Sequence, residues 1–368
     1  MRVVLSGGGT GGHVYPALAV AAALQQRFSG NGPLELLYIG IRGRLDEELM
    51  TSEIVPFRTV RAGALRGRSP WQFMRSVFNL SLGTLEARRL LKRFRPHVVF
   101  ATGGYASVPV AIAAKLSGRP LLVYLPDIRP GWAVRLMGRL ARVIAVTNEA
   151  SLPYLPAGKT RVTGYPVRKA FTAAAREEAY ERLGLDAARK TLLIAGGSQG
   201  AHSINKMAAE HLPQLVALCQ VIHISGDSDY TWLAGLRDKL PPELAGRYHL
   251  YRYLRDEMPW AMAAADLALT RAGASTLGEL PALGLPAVLI PGPFSDQKEN
   301  ARYLSEKGAA LTLTNSHLAL AKEEIERLLN DEDRLKKMSQ AARSLAQPDA
   351  AERIADLLIE IAQEKRKR

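Results

Sequence analysis

The chain has 368 residues, which is too long for one ordinary hydrophobic core and fits two domains. Apolar residues make up 47% of it, which excludes a disordered chain, and the single cysteine, Cys219, excludes an intrachain disulfide and is typical of a reducing compartment. The net charge of +14 lies entirely in residues 1–165, which hold 22 Lys and Arg against 8 Asp and Glu, whereas residues 166–368 hold 27 of each. A basic half favours an anionic partner such as a nucleic acid, a phospholipid surface or a pyrophosphate-bearing substrate.

Short runs of Val, Leu and Ile alternate with helical patterns along the chain. This alternation predicts βαβ units, and hence parallel sheets with helices on both faces. The predicted strands are Val3–Leu5, Glu35–Ile39, Val98–Thr102, Leu121–Leu125, Val143–Thr147, Leu192–Ala195, Val221–Ser225, Leu267–Thr270, Ala287–Ile290 and Ala310–Leu313. No apolar run reaches the roughly 18 residues of a membrane span, and no signal peptide is expected.

The pattern of strand, glycine loop and long helix restarts near residue 190, which predicts two Rossmann-like domains in tandem. The predicted link is Thr163–Phe171, where Pro and Gly interrupt both periodicities. We place the first domain at residues 1–165 and the second at 166–349, with a C-terminal helix within 350–368 that packs back on the first. Ligands of open α/β sheets bind beyond the carboxyl ends of the strands, so we expect the edges of two facing domains to form one cleft.

The first predicted strand runs into the loop "GGGTGG", which has five glycines within residues 7–12. Its G-x-G-x-x-G spacing is typical of a site for a dinucleotide pyrophosphate. No acidic residue follows the second strand before Asp46, which argues against NAD, although Arg42 or Arg44 leaves NADP open. The alternatives are a helix N-terminus that approaches a phosphate or sugar, and a tight turn without a ligand.

Four further residues around the glycine loops have candidate roles. His13 begins the first helix, where histidine suits a general base, and its alternative role is to order the loop. The second loop, Gly196–Gly200, predicts a diphosphate cradle in which Ser198 and Gln199 add side-chain hydrogen bonds. Arg168 is predicted to clamp the diphosphate with two hydrogen bonds, and a surface salt bridge is equally favoured.

The segment from Ala265 to Leu304 carries the most specific pattern. A strand ends in a loop of small residues, and the next helix carries Glu279, whose carboxylate suits the two hydroxyls of a ribose. Asp296 and Gln297 suit the hydroxyls of a sugar.

Asp227 and Asp229 have the D-x-D spacing of metal-dependent sugar transferases of another fold. No His or further carboxylate accompanies them, so we interpret the pair as a solvated loop and predict no metal site. The acidic run Asp331–Asp333 is interpreted as a solvated helix cap.

Taken together and in order, these segments resemble glycosyltransferase family 28, which includes the N-acetylglucosamine (GlcNAc) transferases of peptidoglycan synthesis. The motifs that carry the resemblance are "GGGTGGHVYPALA", "ATGGYASVP", "VTGYPVR", "GGSQGA", "RAGASTLGE" and "DQKENA". The resemblance covers almost the whole chain and implies the GT-B fold, with two Rossmann-like α/β domains whose parallel sheets face across a cleft.

The resemblance also implies the reaction. GlcNAc would pass, with inversion, from UDP-GlcNAc to the 4-hydroxyl of undecaprenyl-pyrophosphoryl-MurNAc-pentapeptide, without a metal or other cofactor. The protein would be peripheral, at the cytoplasmic face of the plasma membrane.

The family's functional residues are carried over by position. Glu279 would hold the ribose hydroxyls, the backbone of Leu254 would contact the uracil, and Gln297 would contact the GlcNAc hydroxyls beside Asp296. The other residues assigned to the donor are Thr10, Gly11, Gly12, Arg168, Ser198, Gln199, Ala272, Gly273, Ala274 and Ser275. Gly103, Gly104 and Tyr105 are assigned to the acceptor, and Thr10 and His13 also match acceptor-side motif positions.

The sequence departs from the family where its members usually carry "HEQN" before a Pro-Gly pair. The corresponding segment of this chain is "YLPDIRPGW". It has Asp127 at the position of the asparagine and lacks the His and Glu of the motif. Asp127 is therefore a second candidate base beside His13. A smaller departure is Asp296-Gln297, where the family often has His-Gln or Gln-Gln.

Trp71, Phe73, Met74 and Phe78 lie in a helical pattern among arginines. Such a patch suits the headgroup region of an anionic membrane, and a core-facing helix is the equally weighted alternative.

Three other functions compete with this transfer reaction. They are a UDP-GlcNAc epimerase, a related lipid glycosyltransferase with another sugar or acceptor such as diacylglycerol, and a basic nucleic-acid-binding protein. The last ranks lowest, and we expect no nucleic-acid partner, because aromatic residues interleave with basic ones only at residues 71–78.

Overall fold

The computed structural model describes residues 1–8, 11–30, 32–42, 46–47, 55–63, 69–197, 200–292 and 295–364. The chain forms two compact units, one of Met1–Arg168 with Pro348–Arg368 and the other of Lys169–Gln347. The sequence placed this boundary between residues 165 and 166 and assigned residues 350–368 to the first domain. Each unit is described by itself below.

The first unit is built on a seven-stranded parallel sheet with the order β3-β2-β1-β4-β5-β6-β7. Its strands are β1 (Arg2–Ser6), β2 (Glu35–Gly40), β3 (Phe57–Thr59), β4 (Val98–Ala101), β5 (Leu121–Leu125), β6 (Val143–Val146) and β7 (Thr160–Val162). Its helices are α1 (Gly11–Phe28), α2 (Pro70–Phe94), α3 (Ser107–Leu116), α4 (Trp132–Leu140) and, at the end of the chain, α16 (Ala350–Glu364). Two 3₁₀ turns, Glu149–Tyr154 and Ala157–Lys159, precede β7.

The second unit has a six-stranded parallel sheet with the order β10-β9-β8-β11-β12-β13. Its strands are β8 (Thr191–Ala195), β9 (Gln220–Ile224), β10 (Tyr248–Tyr251), β11 (Leu267–Thr270), β12 (Ala287–Leu289) and β13 (Ala310–Thr312). Its helices are α5 (Lys169–Ala173), α6 (Arg176–Leu183), α7 (His202–Glu210), α8 (Leu212–Leu218), α9 (Asp227–Arg237), α10 (Pro242–Ala245), α11 (Met258–Ala264), α12 (Thr276–Leu283), α13 (Ser295–Glu306), α14 (Ala321–Leu329) and α15 (Glu332–Ser344). A 3₁₀ turn at Asn315–Leu320 precedes α14.

The predicted strands are all present, each with bounds within one residue of the prediction. All of them except β13 are central strands. Residues on these strands, such as Val4, Val99 and Leu193, are buried because helices cover both faces of each sheet. The sequence missed β3, β7 and β10. Each of these is a sheet edge of three or four residues, and an edge strand needs no continuous apolar run.

The C-terminal helix α16 packs against α1 in the first unit. Its buried stripe includes Ile354, Leu358 and Ile361, spaced as one face of a helix. Its polar side is tied to the unit by ion pairs, with Arg27 Nη2 2.9 Å from Asp356 Oδ2. The chain therefore returns to its first unit after completing the second.

Helix α2 begins with a capping box, in which the Ser69 hydroxyl accepts from the Gln72 N–H and the Gln72 side chain accepts from the Ser69 N–H. Its buried residues include Ser76, Thr84, Ala87 and Leu91, which recur at helical spacing. None of the helices in the described part of the chain is long and apolar enough to cross a membrane.

Gly83 lets α2 lie directly on the backbone of Arg61. A Cβ at Gly83 would lie 1.8 Å from the Arg61 carbonyl oxygen, whereas a Cβ at Gly235 in α9 would meet no atom within 4 Å. We expect Gly83→Ala to lower the free energy of unfolding by about 1–3 kcal/mol, since the helix must move away from its neighbour. The matched change Gly235→Ala should be neutral or add up to about 1 kcal/mol, because alanine favours the helix. Urea unfolding followed by circular dichroism tests this, and equal effects of the two changes would contradict it.

Candidate functional site

The strand order reverses at one point in each sheet, between β1 and β4 in the first unit and between β8 and β11 in the second. Connections leave such neighbouring strands in opposite directions, so a crevice opens beyond their carboxyl ends. Most of the predicted site residues that the structure describes follow these strands or their direct neighbours, whereas Leu254 follows β10 and Arg168 follows β7. The fold therefore gathers them at the carboxyl edge of their own sheet.

In the first unit, the backbone directly after β1 is closely packed at Gly7 and Gly8. A Cβ at Gly7 would lie 2.1 Å from Thr102 Oγ1, and a Cβ at Gly8 would lie 3.1 Å from Asp46 Oδ2. The Tyr38 hydroxyl donates to the Gly7 carbonyl oxygen at 2.8 Å. Gly11 and Gly12 open α1, while Thr10 lies outside the described residues.

His13 is half-buried in the first turn of α1 and is joined to the loop after β4. Its Nδ1 lies 2.9 Å from the Thr102 carbonyl oxygen, and Thr102 Oγ1 donates back to the His13 carbonyl oxygen at 2.5 Å. A carbonyl oxygen only accepts, so Nδ1 carries a proton. In the neutral ring Nε2 therefore holds the lone pair, which is the arrangement that a general base requires.

Gly103 and Gly104 let the loop after β4 close around this ring. Their φ angles are +105° and +75°, in the region that favours glycine. A Cβ at Gly103 would lie 2.9 Å from His13 Cε1, and one at Gly104 would lie 2.5 Å from the Gly8 carbonyl oxygen. Tyr105 follows directly and is half-buried.

Asp127 follows β5, the neighbour of β4, and is half-buried. Burial raises the pKa of the Tyr124 hydroxyl well above its ordinary value, and the charge of Asp127 adds to that rise. Both candidate bases thus lie at the same edge of the first sheet, His13 at the start of α1 and Asp127 in the loop after β5.

Arg168 is the last residue of the first unit before the second begins. Its guanidinium carbon lies 4.5 Å from the centre of the Tyr15 ring in α1, a cation–π contact. The Arg168 side chain thus packs against α1, the helix that follows the first glycine loop. Its role as a diphosphate clamp stays a prediction.

In the second unit, the glycine loop leads from β8 into α7. Gly197 and Gly200 have positive φ angles, and a Cβ at Gly200 would lie 2.2 Å from the Ser225 carbonyl oxygen. Helix α7 begins without a capping side-chain hydrogen bond from Ala201. Such a helix start presents N–H groups and the positive end of the dipole to an anion. Ser198 and Gln199 lie outside the described residues.

The loop after β11 holds the predicted donor residues Ala272, Gly273, Ala274 and Ser275 and leads into α12. Glu279 lies half-buried in the first turn of α12, where a helix N-terminus stabilises a carboxylate. Leu254 is buried just after β10 at the same edge.

Two residues that the sequence analysis did not single out hold these loops together. Arg271 donates from Nη2 to Ser203 Oγ at 2.8 Å, and from Nη1 to the Ile290 carbonyl oxygen at 3.2 Å and to Asn315 Oδ1 at 3.1 Å. It thereby links the segments after β8, β11, β12 and β13. Desolvation lowers the pKa of the Arg271 guanidinium. The buried Asn300 donates from Nδ2 to the Ala272 carbonyl oxygen at 3.1 Å.

Asp296 and Gln297 lie in the first turn of α13. The Gln297 side-chain oxygen accepts from the Gly292 N–H at 2.7 Å. The Gln297 carboxamide thus braces the loop after β12 through its oxygen, and its NH₂ group is the part that would donate to a sugar hydroxyl.

The prediction of a solvated loop at Asp227 and Asp229 is wrong about the loop and about Asp229, whereas Asp227 is exposed as predicted. Both residues lie in the first turn of α9, and Asp229 is buried, where it accepts hydrogen bonds from His202 and Asn205. Among the residues that the structure describes, no group of three or more His, Cys, Asp or Glu side chains is placed to hold a metal ion. The predicted helix cap is confirmed, since the Asp331 side chain accepts from the Arg334 N–H at the start of α15.

The core-facing alternative for the aromatic patch is also wrong. Trp71, Met74 and Phe78 on α2 are 76%, 64% and 62% exposed, and Phe73 is 46% exposed. Large apolar side chains grouped on the solvent side of a helix typically mark an interaction surface.

Comparison with known proteins agrees with this arrangement in both units. The profile described as "Glycosyltransferase family 28 N-terminal domain" matches residues 3–146, and the "Glycosyltransferase family 28 C-terminal domain" matches residues 191–354. A protein of Roseiflexus sp. (strain RS-1) is 42% identical, with 97% of this chain and 94% of that protein covered. It is named UDP-N-acetylglucosamine–N-acetylmuramyl-(pentapeptide) pyrophosphoryl-undecaprenol N-acetylglucosamine transferase.

Two solved structures share the fold over nearly the whole chain. The crystal structure of Acinetobacter baumannii MurG superposes with a TM-score of 0.72 at 26% identity, covering 98% of this chain and 99% of that one. A UDP-GlcNAc 2-epimerase from Neisseria meningitidis has a TM-score of 0.69, covers 98% of this chain and 100% of that one, and is 15% identical, which shows the fold alone. By both of its matched domains and by its full-length relative, the chain belongs to glycosyltransferase family 28.

Proposed function

We propose that this chain transfers GlcNAc from UDP-GlcNAc to the 4-hydroxyl of undecaprenyl-pyrophosphoryl-MurNAc-pentapeptide, the lipid I to lipid II step of peptidoglycan synthesis. The observation that carries the proposal is the 42% identity to the Roseiflexus transferase over 97% of the chain. The epimerase is not favoured, because at 15% identity that likeness concerns the fold.

The second unit supplies the donor side in this proposal. The start of α7, which has no capping side chain, suits a diphosphate because it presents backbone N–H groups. Glu279 accepts from the ribose hydroxyls, Leu254 meets the uracil through its backbone, and the Gln297 NH₂ group donates to a GlcNAc hydroxyl. Arg271 and Asn300 keep these segments in register through their hydrogen bonds to neighbouring loops.

The first unit supplies the acceptor side and the base. His13 is the better placed of the two candidates, because the Thr102 carbonyl oxygen holds the proton on Nδ1 and leaves Nε2 as acceptor. Gly103 and Gly104 lie against its ring, and Tyr105 follows them in the same loop. Asp127, after the neighbouring strand β5, is the second candidate base.

The reaction is a direct displacement at the anomeric carbon. The 4-hydroxyl oxygen forms the new bond to that carbon while the bond to the diphosphate oxygen breaks. The proton passes to Nε2 of His13, and the bonding electrons leave with UDP, so an α-linked donor gives a β-linked product. The α7 dipole and the N–H groups at the start of α7 stabilise the leaving diphosphate in this proposal, and no metal is assigned to it.

We further propose that the protein binds the anionic cytoplasmic face of the plasma membrane as a peripheral protein. The support is the exposed apolar side of α2 together with the excess of Lys and Arg in residues 1–165. Buried aromatic area and attraction to anionic lipids add together in such surfaces.

Replacing Glu279 tests the donor pocket. Glu279→Ala should weaken UDP-GlcNAc binding about 10- to 100-fold in a calorimetric titration, because the net loss of one hydrogen bond to a charged group costs about 1.5–3 kcal/mol. Glu306→Ala, at the C-terminal end of α13 in the same unit, should bind like the unaltered protein. Unchanged affinity in Glu279→Ala would mean that the nucleotide pocket is misassigned.

Replacing the two candidate bases tests the assignment of the proton acceptor. His13→Gln should lower kcat by about 10²- to 10⁴-fold, the usual contribution of general-base catalysis, while UDP-GlcNAc affinity stays unchanged. Asp127→Asn should lower kcat less. Single-turnover transfer assays measure both, and the assignment fails when Asp127→Asn abolishes transfer and His13→Gln retains it.

Replacing the exposed aromatic residues tests membrane binding. The double change Trp71→Ser with Phe73→Ser should reduce co-sedimentation with phosphatidylglycerol vesicles by about tenfold or more, because two large apolar side chains no longer enter the interface. Trp232→Ser, an exposed tryptophan of the second unit, is the matched control and should leave sedimentation unchanged. Equal binding by all three proteins would remove α2 as the membrane surface.

A further inference from the structure

Thr102, the first residue after β4, is fully buried and contacts His13 at two points. Its carbonyl oxygen accepts from His13 Nδ1 at 2.9 Å, and its Oγ1 donates to the His13 carbonyl oxygen at 2.5 Å. The Thr102 carbonyl oxygen only accepts, so Nδ1 carries the proton of the first bond whether the ring is neutral or charged. One residue therefore holds both the ring and the backbone of a candidate base.

The Thr102 hydroxyl has a single proton, and distance determines where that proton points. Two carbonyl oxygens lie near Oγ1, that of His13 at 2.5 Å and that of Ser6 at 3.4 Å. An O–H···O bond is usually about 2.5–3.0 Å long, and neither carbonyl can donate, so the proton points to His13. The hydroxyl is therefore bonded to the first turn of α1.

Thr102 is itself held by the centre of the sheet. Its N–H donates to the Ser6 carbonyl oxygen at 2.9 Å, which extends the pairing of β1 with β4 by one step. Ser6 and Ala101, the last residues of these two strands, are fully buried. A side chain carried by packed strands is held more precisely than one carried by a loop. The two bonds from Thr102 therefore fix His13 relative to the central strands.

The space around the hydroxyl admits no larger group. A Cβ at Gly7 would lie 2.1 Å from Thr102 Oγ1, so the glycine backbone is already close to it. A methyl group in place of the hydroxyl would lie about 2.5 Å from the His13 carbonyl oxygen, whereas carbon and oxygen need about 3.3 Å. Size and hydrogen bonding both favour a hydroxyl at this position.

A buried threonine bonded to a carbonyl oxygen often has only a structural role, and Thr160 is such a residue in the same unit. It is 6% exposed, and its Oγ1 donates to the Pro156 carbonyl oxygen at 2.7 Å. Thr102 differs because its hydroxyl bonds the backbone of His13 while its carbonyl oxygen bonds the ring of the same residue. Two bonds to one residue determine both its backbone position and its ring orientation.

We propose that Thr102 is a positioning residue for the transfer reaction, because its hydroxyl and its carbonyl oxygen together set the position of His13 Nε2. The inference rests on the proposed function and on His13 as the base. A base must lie within hydrogen-bond reach of the proton that it takes, and a misplacement of about 1 Å costs about 100-fold in rate. The backbone bond to Nδ1 survives a substitution of Thr102, so substitutions test the hydroxyl by itself.

The first experiment removes the hydroxyl and then restores it. Thr102→Ala should lower the rate of single-turnover transfer about 10- to 100-fold, because the first turn of α1 loses the bond that holds His13 in place. Thr102→Ser should stay within about threefold of the unaltered protein, because serine supplies the same donor. Both variants should bind UDP-GlcNAc with unchanged affinity in a calorimetric titration, since the donor is assigned to the second unit. A serine variant as slow as the alanine variant would contradict a role of the hydroxyl.

Thr102→Val tests the size of the group at this position. Valine puts a methyl group where the hydroxyl lies, and that group would push the His13 backbone away from the loop after β4. The transfer rate should therefore be no higher than that of Thr102→Ala. A valine variant as fast as the unaltered protein would overturn the inference.

The matched control is Thr160→Ala, which removes a buried hydroxyl of the same kind at the start of β7. It should keep the transfer rate of the unaltered protein. Urea unfolding followed by circular dichroism measures how much stability each variant loses and shows that each is folded in the assay. Equal losses of rate in Thr160→Ala and Thr102→Ala would mean that Thr102 acts on the fold in general, which contradicts the positioning role.

A His13→Gln background separates this inference from the proposed function. There Thr102→Ala should change the transfer rate by less than about twofold, since Thr102 acts through His13. An undiminished effect in that background, or a normal rate in Thr102→Ala beside a slow His13→Gln, would overturn the inference and leave the proposed function standing. Absence of transfer by the unaltered protein would instead refute the proposed function.

Discussion

Close backbone packing at glycine positions is the constraint on which both carboxyl edges depend. In the first unit a side chain at Gly7 would collide with Thr102, and one at Gly104 with the backbone of Gly8. In the second unit a Cβ at Gly196 would lie 2.1 Å from the Ala201 nitrogen. These contacts require glycine at positions close to the starts of α1 and α7. Glycine-rich backbone next to a helix start is typical of phosphate and sugar recognition.

The sequence predicted the central part of the fold well because its physical cause is local. Strands buried on both faces must be apolar throughout, so β1, β4, β8 and β11 stand out in the sequence with bounds correct to one residue. The edge strands β3, β7 and β10 were missed, since segments such as "FRT" and "TRV" pair along one side and expose polar residues. The position of an edge strand depends on the neighbouring strand with which it pairs. The local sequence pattern carries no information about that neighbour.

The candidate site divides in a similar way. Motif glycines, His13 and Glu279 were singled out because their residue types and spacing carry chemistry by themselves. The polar residues that fix them were not, since Arg271 binds partners up to 68 positions away in the chain, and Asp229 meets His202 across 27. Residue spacing alone led to a wrong interpretation of Asp229. Its carboxylate was interpreted as solvated, but it is buried against Asn205 and His202. Long-range hydrogen bonds are properties of the fold, and one sequence does not reveal them.

The most direct test of the proposed transfer is whether consumption of UDP-GlcNAc requires the lipid acceptor. The purified protein is incubated with UDP-GlcNAc, with and without undecaprenyl-pyrophosphoryl-MurNAc-pentapeptide, and nucleotide sugars and lipid products are separated and quantified. The account predicts no change in UDP-GlcNAc without the acceptor, and with it equal amounts of UDP and a β-1,4-linked disaccharide lipid. Conversion of UDP-GlcNAc to an epimer in the absence of acceptor, or no transfer in its presence, would contradict the account.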